Sequence, residues 1–125
     1  MNFFTSTNFL KVGGVVLVVV GLLGFMGIIG PTSDQSIFSA FWFFDNFENW
    51  AHLVLGIVGL LVAFALPVAL HKPVTLLVGV LGIFFGLYNI FSTNFMGAEL
   101  QNPADMVLHF VVGAWGLYSG LNKKQ

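Results

Sequence analysis

The alternation of apolar and polar positions divides this chain into four long apolar stretches, at about residues 12–30, 48–70, 74–91 and 104–121. Each approaches or matches the roughly 20 residues that a helix needs to cross a bilayer. The first and third carry no charge at all. The second holds His52, with Glu48 at its edge, and the fourth holds His109 and Asp105. None shows one apolar and one polar face, as expected where lipid rather than water surrounds a helix. Runs such as Val15 to Val20 do not alternate, which argues against barrel strands, whose ~10-residue segments alternate polar and apolar. The pattern predicts an all-α, polytopic membrane protein with four spans.

The connections fit an up-down bundle. His71-Lys72-Pro73 is expected to form a tight turn, with Pro73 opening the third helix where no amide donor is required. Residues 31–47 form a longer loop crowded with Phe38, Phe41, Trp42, Phe43, Phe44 and Phe47. Such a density of rings beside a span reads as an interfacial aromatic belt; contact with a pigment, quinone or partner is the alternative. The first stretch is longer than the roughly 7–15 apolar residues of a signal peptide and is followed by no small-x-small site, so a retained helix is expected.

Composition sharpens this picture. Of 125 residues, 58% are hydrophobic and 7% charged, against roughly 45–50% and 25% in soluble domains. One domain is expected. An ordinary soluble enzyme, a disordered tail and a nucleic-acid binder are excluded, the last for want of a basic stripe. With no cysteine, disulfides and thiol chemistry are excluded as well. The charges also segregate. With four spans, Lys11, Lys72, Lys123 and Lys124 fall on one side, and Asp34, Asp45, Glu48, Glu99 and Asp105 on the other. Lysine marks the cytoplasmic side, so both termini are expected to be cytoplasmic.

The second and fourth spans repeat one pattern. Glu48, His52, Gly56, Gly59 and Ala63 recur at the same spacing as Asp105, His109, Gly113, Gly116 and Gly120. At about 100° per residue each set occupies one helical face. The first and third spans are glycine-rich too, with Gly14, Gly21 and Gly24 in one and Gly79, Gly82 and Gly86 in the other. This predicts two parallel helix-pair repeats related by an axis along the membrane normal. The small residues read as helix-packing seams, because close backbone approach drives association in lipid; the functional alternative is a flat slot for a planar ligand.

The acids have a local explanation. Asp45 and Asn102 are candidate N-caps, and Glu48 stands at the capping-box position, with Asp105 a weaker version of the same device. The histidines lie seven residues beyond those caps, roughly 10 Å into the helices. A buried imidazole needs a partner, and the acid of its own or of the other repeat is the expected one. Three readings follow: a His–acid clasp docking the two halves, axial ligation of haem or chlorophyll by His52 and His109, or a proton or substrate pathway. The spacing is not diagnostic of a metal site, and no catalytic residue is assigned. His71 is expected to be solvated. Asn89 and Tyr88 are candidates to bond within the bundle, and Trp115 and Tyr118 are expected as interfacial anchors.

Two stretches carry a resemblance. Asn49-Trp50-Ala51-His52-Leu53 running into Gly56 to Leu60, and Asp105-Met106-Val107-Leu108-His109 running into a small-residue helix, resemble a domain-of-unknown-function family of small bacterial four-helix membrane proteins. The likeness runs from about Gly21 onward, through Asn49 and His52 in one motif and Asp105 and His109 in the other. Glu48 stands where that family's pattern has a further histidine, and Pro103-Ala104 where it has Gly-Asn. The resemblance implies the topology and the importance of the histidine pair; the family's activity is unassigned.

The expectation is therefore a non-enzymatic accessory or scaffold subunit of a bacterial inner or photosynthetic membrane, in contact with lipid and with other membrane subunits or itself. Tetrapyrrole binding through His52 and His109 is the alternative, and an oligomeric transporter or channel component the third reading.

Overall fold

Thr5 opens the first helix by accepting the Asn8 N–H on its hydroxyl at 3.2 Å, and α1 runs over Ser6–Phe25. The structure, a computed structural model, describes residues 2–125. After single 3₁₀ turns at Ser33–Gln35 and Ser39–Phe41, α2 occupies Asn46–Ala65. Pro67 follows its end, a third 3₁₀ turn spans Val68–Leu70, and α3 covers His71–Phe91. A two-strand β-hairpin, β1 Asn94–Phe95 and β2 Ala98–Glu99, leads to α4, Ala104–Leu121. Its turn residues Met96 and Gly97 both have positive φ, as a two-residue hairpin turn compatible with strand twist demands.

The protein is all-helical apart from that hairpin. Three segments, Ser6–Phe25, Asn46–Ala65 and Val68–Phe91, are long and apolar enough to cross a membrane, with mean hydropathies of 2.1, 1.6 and 2.1. The 18-residue α4, diluted by Asp105, His109, Tyr118 and Ser119, falls outside that group. The first helix lies several residues earlier than the 12–30 stretch, so Lys11 sits inside it, 5.0 Å above the Phe64 ring. His71-Lys72-Pro73 is no turn: it is the first turn of α3, where the amide that Pro73 lacks has no helical partner in any case.

Glycine sets the packing. In α1 and α2, a Cβ on Gly56 would lie 2.8 Å from the Gly14 carbonyl oxygen. In α3 and α4, a Cβ on Gly82 would lie 2.7 Å from the Gly113 Cα, and one on Gly79 2.7 Å from the Leu117 amide. Backbone therefore touches backbone within each pair, the mode that substitutes for hydrophobic drive in lipid. Gly120 abuts Leu76, and Ala63 is buried. Gly59 is looser, 3.7 Å from the Leu10 carbonyl. The small-residue stripes thus seal α1 to α2 and α3 to α4 rather than one pair to the other. The partners in each pair are antiparallel, since Leu10 meets Gly59 and Gly24 meets Asn49, while Gly79 meets Gly116 and Gly86 meets Phe110.

The two pairs meet through fewer side chains. Phe9, Leu10, Val62 and Ala63 form the buried cluster, with Val74, Val78, Val112 and Trp115 packed on it. Phe9 and Trp115 stack edge to face at 4.6 Å. At the same end Thr7 Oγ1 pairs with His71 Nδ1 at 2.7 Å, and the Thr75 hydroxyl donates to the Ser6 carbonyl at 3.1 Å. His71, expected in solvent, is 3% exposed, and its Nε2 lies 3.2 Å from the Leu66 carbonyl oxygen. Trp115 donates to the Phe3 carbonyl at 2.8 Å, so it joins helices as well as facing the rim.

A cleft between the helix pairs

The end of the bundle that carries the acids is built from two connections, the loop between α1 and α2 and the hairpin segment between α3 and α4. Asp45 caps α2 through a complete capping box: its Oδ1 accepts the Glu48 N–H at 2.9 Å, and Glu48 Oε1 accepts the Asp45 N–H at 3.3 Å. Asp45 Oδ2 also accepts the Glu99 N–H at 2.7 Å, tying α2 to the β-hairpin. Asn102 does not cap α4. Pro103 holds that position, and the Asn102 amide instead donates to the Asn89 carbonyl at 2.9 Å. The reason is geometric: proline in the capping position shifts the helix start by one residue. Asp105 accepts the Gln101 N–H at 2.8 Å, bonding back to the entering chain.

The connection between α1 and α2 spans residues 26–45 rather than 31–47, since Asn46 and Phe47 already belong to α2, and it folds over this end. Trp42, read from sequence as belt, donates its indole N–H to Asp105 Oδ1 at 2.8 Å. Phe44 is 3% exposed and meets the His52 ring edge to face at 5.4 Å. Phe41 and Phe47 remain exposed. Asn49 is fully buried: its amide donates to the Phe44 carbonyl at 3.0 Å, and its side chain fills the space above Gly24. Asn89 does bond within the bundle, donating to Ser92 at the end of α3.

His52 and His109 line the same cleft, which separates the two helix pairs and has a volume of about 150 Å³. Among its lining residues only Glu48, His52 and His109 are polar; the walls are aliphatic and aromatic, with Phe47, Phe85 and Phe95 nearest the hairpin end. Neither imidazole hydrogen-bonds an acid. Nδ1 of each ring is buried without a partner. The Asp105 carbonyl lies beside the His109 ring without closing a bond of good geometry. The Nε2 atoms bond no protein group and are not among the buried unpartnered atoms, which leaves them accessible on two residues that line the cleft. Glu48 is 5% exposed, and its second carboxyl oxygen is likewise free of protein partners. The expected His–acid hydrogen bonds are therefore not formed: the acids are consumed by capping and by Trp42, one turn above the rings.

A second void of about 70 Å³ continues toward the lysine-bearing end. It shares Leu17, Leu55, Val78 and Val112 with the first and reaches Phe9 and Trp115. The interface between the helix pairs is thus an apolar furrow with three polar side chains at one end. Most seam glycines are filled by helix contact, while Gly14, Gly59 and Gly82 also border the two voids. Among the described residues, no group of three or more His, Asp or Glu is placed to hold a metal ion.

Sequence reasoning singled out Glu48, Asn49, His52, Asp105 and His109, all of which stand at this end. It missed Trp42 as a hydrogen-bond donor, Phe44 and Phe85 as ring neighbours of the histidines, and the link from Asp45 to Glu99. Nothing in the spacing of an aromatic-rich loop marks which ring turns inward. No known protein family, characterised protein or solved structure matches the chain.

Proposed function

We propose that the chain is a non-enzymatic, four-span protein of a bacterial membrane that acts as a small binding subunit, holding an apolar molecule with a polar head in the cleft between its helix pairs. One observation carries this reading: the only polar side chains on an otherwise apolar cleft each present an atom that no protein group satisfies. A concave apolar site with a few convergent polar groups is the ordinary form of a small-molecule site. The Nδ1 atoms are sealed within the protein, so a ligand in the cleft would be met by Nε2, which no protein group bonds. A buried polar atom gains from such a partner.

The four-span topology with two parallel repeats is supported by the gathering of charges. The α1 and α3 starts and the α4 end meet through Thr7, His71, Trp115 and Asn122, and Lys72, Lys123 and Lys124 lie there. The acids gather at the opposite end. Lysines mark that end as cytoplasmic. The broad apolar exterior, with Leu61, Phe64, Val68 and Phe91 exposed, suits lipid and neighbouring membrane subunits or a second copy. Membership in the family that the Asn49–His52 and Asp105–His109 motifs resemble belongs to the same proposal. A scaffold whose halves are clasped by His–acid bonds loses its support, since those bonds are not made.

Tetrapyrrole ligation through His52 and His109 is the second reading, and it is less favoured: the space between the pairs is about 150 Å³, small for a macrocycle of four bridged pyrroles that would have to extend out of the cleft.

The test is to purify the full chain in mild detergent and identify co-purifying small molecules by native mass spectrometry. Ala51→Trp, which fills the cleft from α2, should abolish a bound species present in the parent. Equal retention by the filled variant would overturn the assignment of the cleft as the site.

A further inference from the structure

The chemistry of the cleft narrows its ligand to one class. We propose that the occupant is a single-ring quinone or its hydroquinone, with the ring at His52, His109 and Glu48 and an alkyl tail along the furrow toward Phe9 and Trp115. This rests on the binding reading above and specifies it.

Size comes first. The upper void of about 150 Å³ opens along one side; an enclosed cavity of that volume holds one benzene ring, so a single ring fits it closely. The lower void of about 70 Å³, joined through Leu17, Leu55, Val78 and Val112, is narrower and has no polar side chain in its lining. A ring above and a chain below match these two volumes. Phe47, Phe85 and Phe95 supply faces and edges for an aromatic or quinonoid ring.

Hydrogen-bonding capacity comes second. A neutral imidazole with its proton on Nε2 donates to a carbonyl oxygen; with the proton on Nδ1, Nε2 accepts from a hydroxyl. The Asp105 carbonyl beside the His109 ring favours a proton on that Nδ1 and so an accepting Nε2, while no partner of Nδ1 fixes the tautomer of His52. The free oxygen of Glu48 accepts from a hydroxyl when ionised and donates to a carbonyl when protonated. Donors at His52 and protonated Glu48 can serve two carbonyls, and acceptors at His109 and at His52 or Glu48 can serve two hydroxyls, through a change of proton position alone.

Charge comes third. Among the lining residues there is no lysine, so a phosphate head would enter an apolar site without a cation, and a fatty-acid carboxylate would face Glu48. Both are disfavoured by desolvation without pairing. A neutral head with more than one polar atom is selected.

The experiment uses the full chain in detergent micelles, titrated with a decyl-substituted benzoquinone while the intrinsic tryptophan emission is followed with Trp42 and Trp115 in place. Saturable quenching is expected, weakened at least tenfold in His52→Leu and in His109→Leu. A decyl alcohol should not compete, and a two-ring naphthoquinone should bind at least tenfold more weakly. Competition by the alcohol on equal terms, or unchanged quenching in both histidine variants, overturns the quinone assignment. If Ala51→Trp still displaces whatever molecule co-purifies, the binding site itself stands; if it does not, the site falls too. Circular dichroism melting of each variant separates loss of binding from loss of fold. A Soret band appearing on haemin addition and lost in both histidine variants would overturn the class in favour of a tetrapyrrole.

Discussion

Trp42 and Asp105, far apart in sequence, are joined by an indole N–H to carboxylate hydrogen bond of 2.8 Å. This bond pins the aromatic loop across the start of α4 and helps hold Phe44 against His52. Asp105 is fully buried, so its oxygens depend on Trp42 and on the Gln101 amide for partners. Removing one partner of a buried charged acceptor costs about 1–3 kcal/mol. Trp42→Phe keeps the ring and loses the donor. It should lower stability by that amount, measured by thermal or denaturant unfolding in detergent. An unchanged midpoint would mean that the bond contributes nothing.

Gly24 and Asn49 form a second such relationship. A Cβ on Gly24 would overlap the Asn49 side chain, which is itself fully buried. Gly24→Ala should therefore destabilise by about 1–3 kcal/mol through overpacking. Asn49→Ala alone should also destabilise, since it empties the space and removes the bond to the Phe44 carbonyl. In a double-mutant cycle the two changes should couple favourably, the double variant losing less than the sum. Simple additivity would show that the two residues do not share this space.

The proposed crossing of α4 is open to a direct measurement. The chain has no cysteine, so single cysteines report without background. Asp34→Cys and Met96→Cys, both at exposed positions, should react with a membrane-impermeant maleimide in intact cells. Lys124→Cys should react only after lysis. Labelling of Met96→Cys and Lys124→Cys from the same side would show that α4 does not cross.

Much of the fold is legible in the chain. The apolar stretches announce helices because long apolar runs without alternation can satisfy their backbone only within a helix, and three of the helices are long and apolar enough to cross a membrane. The capping box at Asp45 and Glu48 is readable because it is local, closing over three residues. The small residues that make the seams are readable because only they permit backbone contact in lipid.

What the chain could not disclose is direction. The recurrence of Glu48–His52 and Asp105–His109 at one spacing does not say which neighbour each helix face meets. Tertiary packing turns the glycines toward the partner within each pair and leaves the imidazoles on the cleft between pairs. It also draws Trp42 and Glu99 onto the acids, by contacts too distant in sequence for any local pattern to record. His71 shows the same limit: beside a lysine it reads as solvated, yet Thr7 and the Leu66 carbonyl enclose it. Helix formation is a property of neighbours along the chain and of the surrounding solvent, and so the sequence determines it. The availability of a nitrogen on a cleft depends on which distant groups reach it first, and only the folded arrangement decides that.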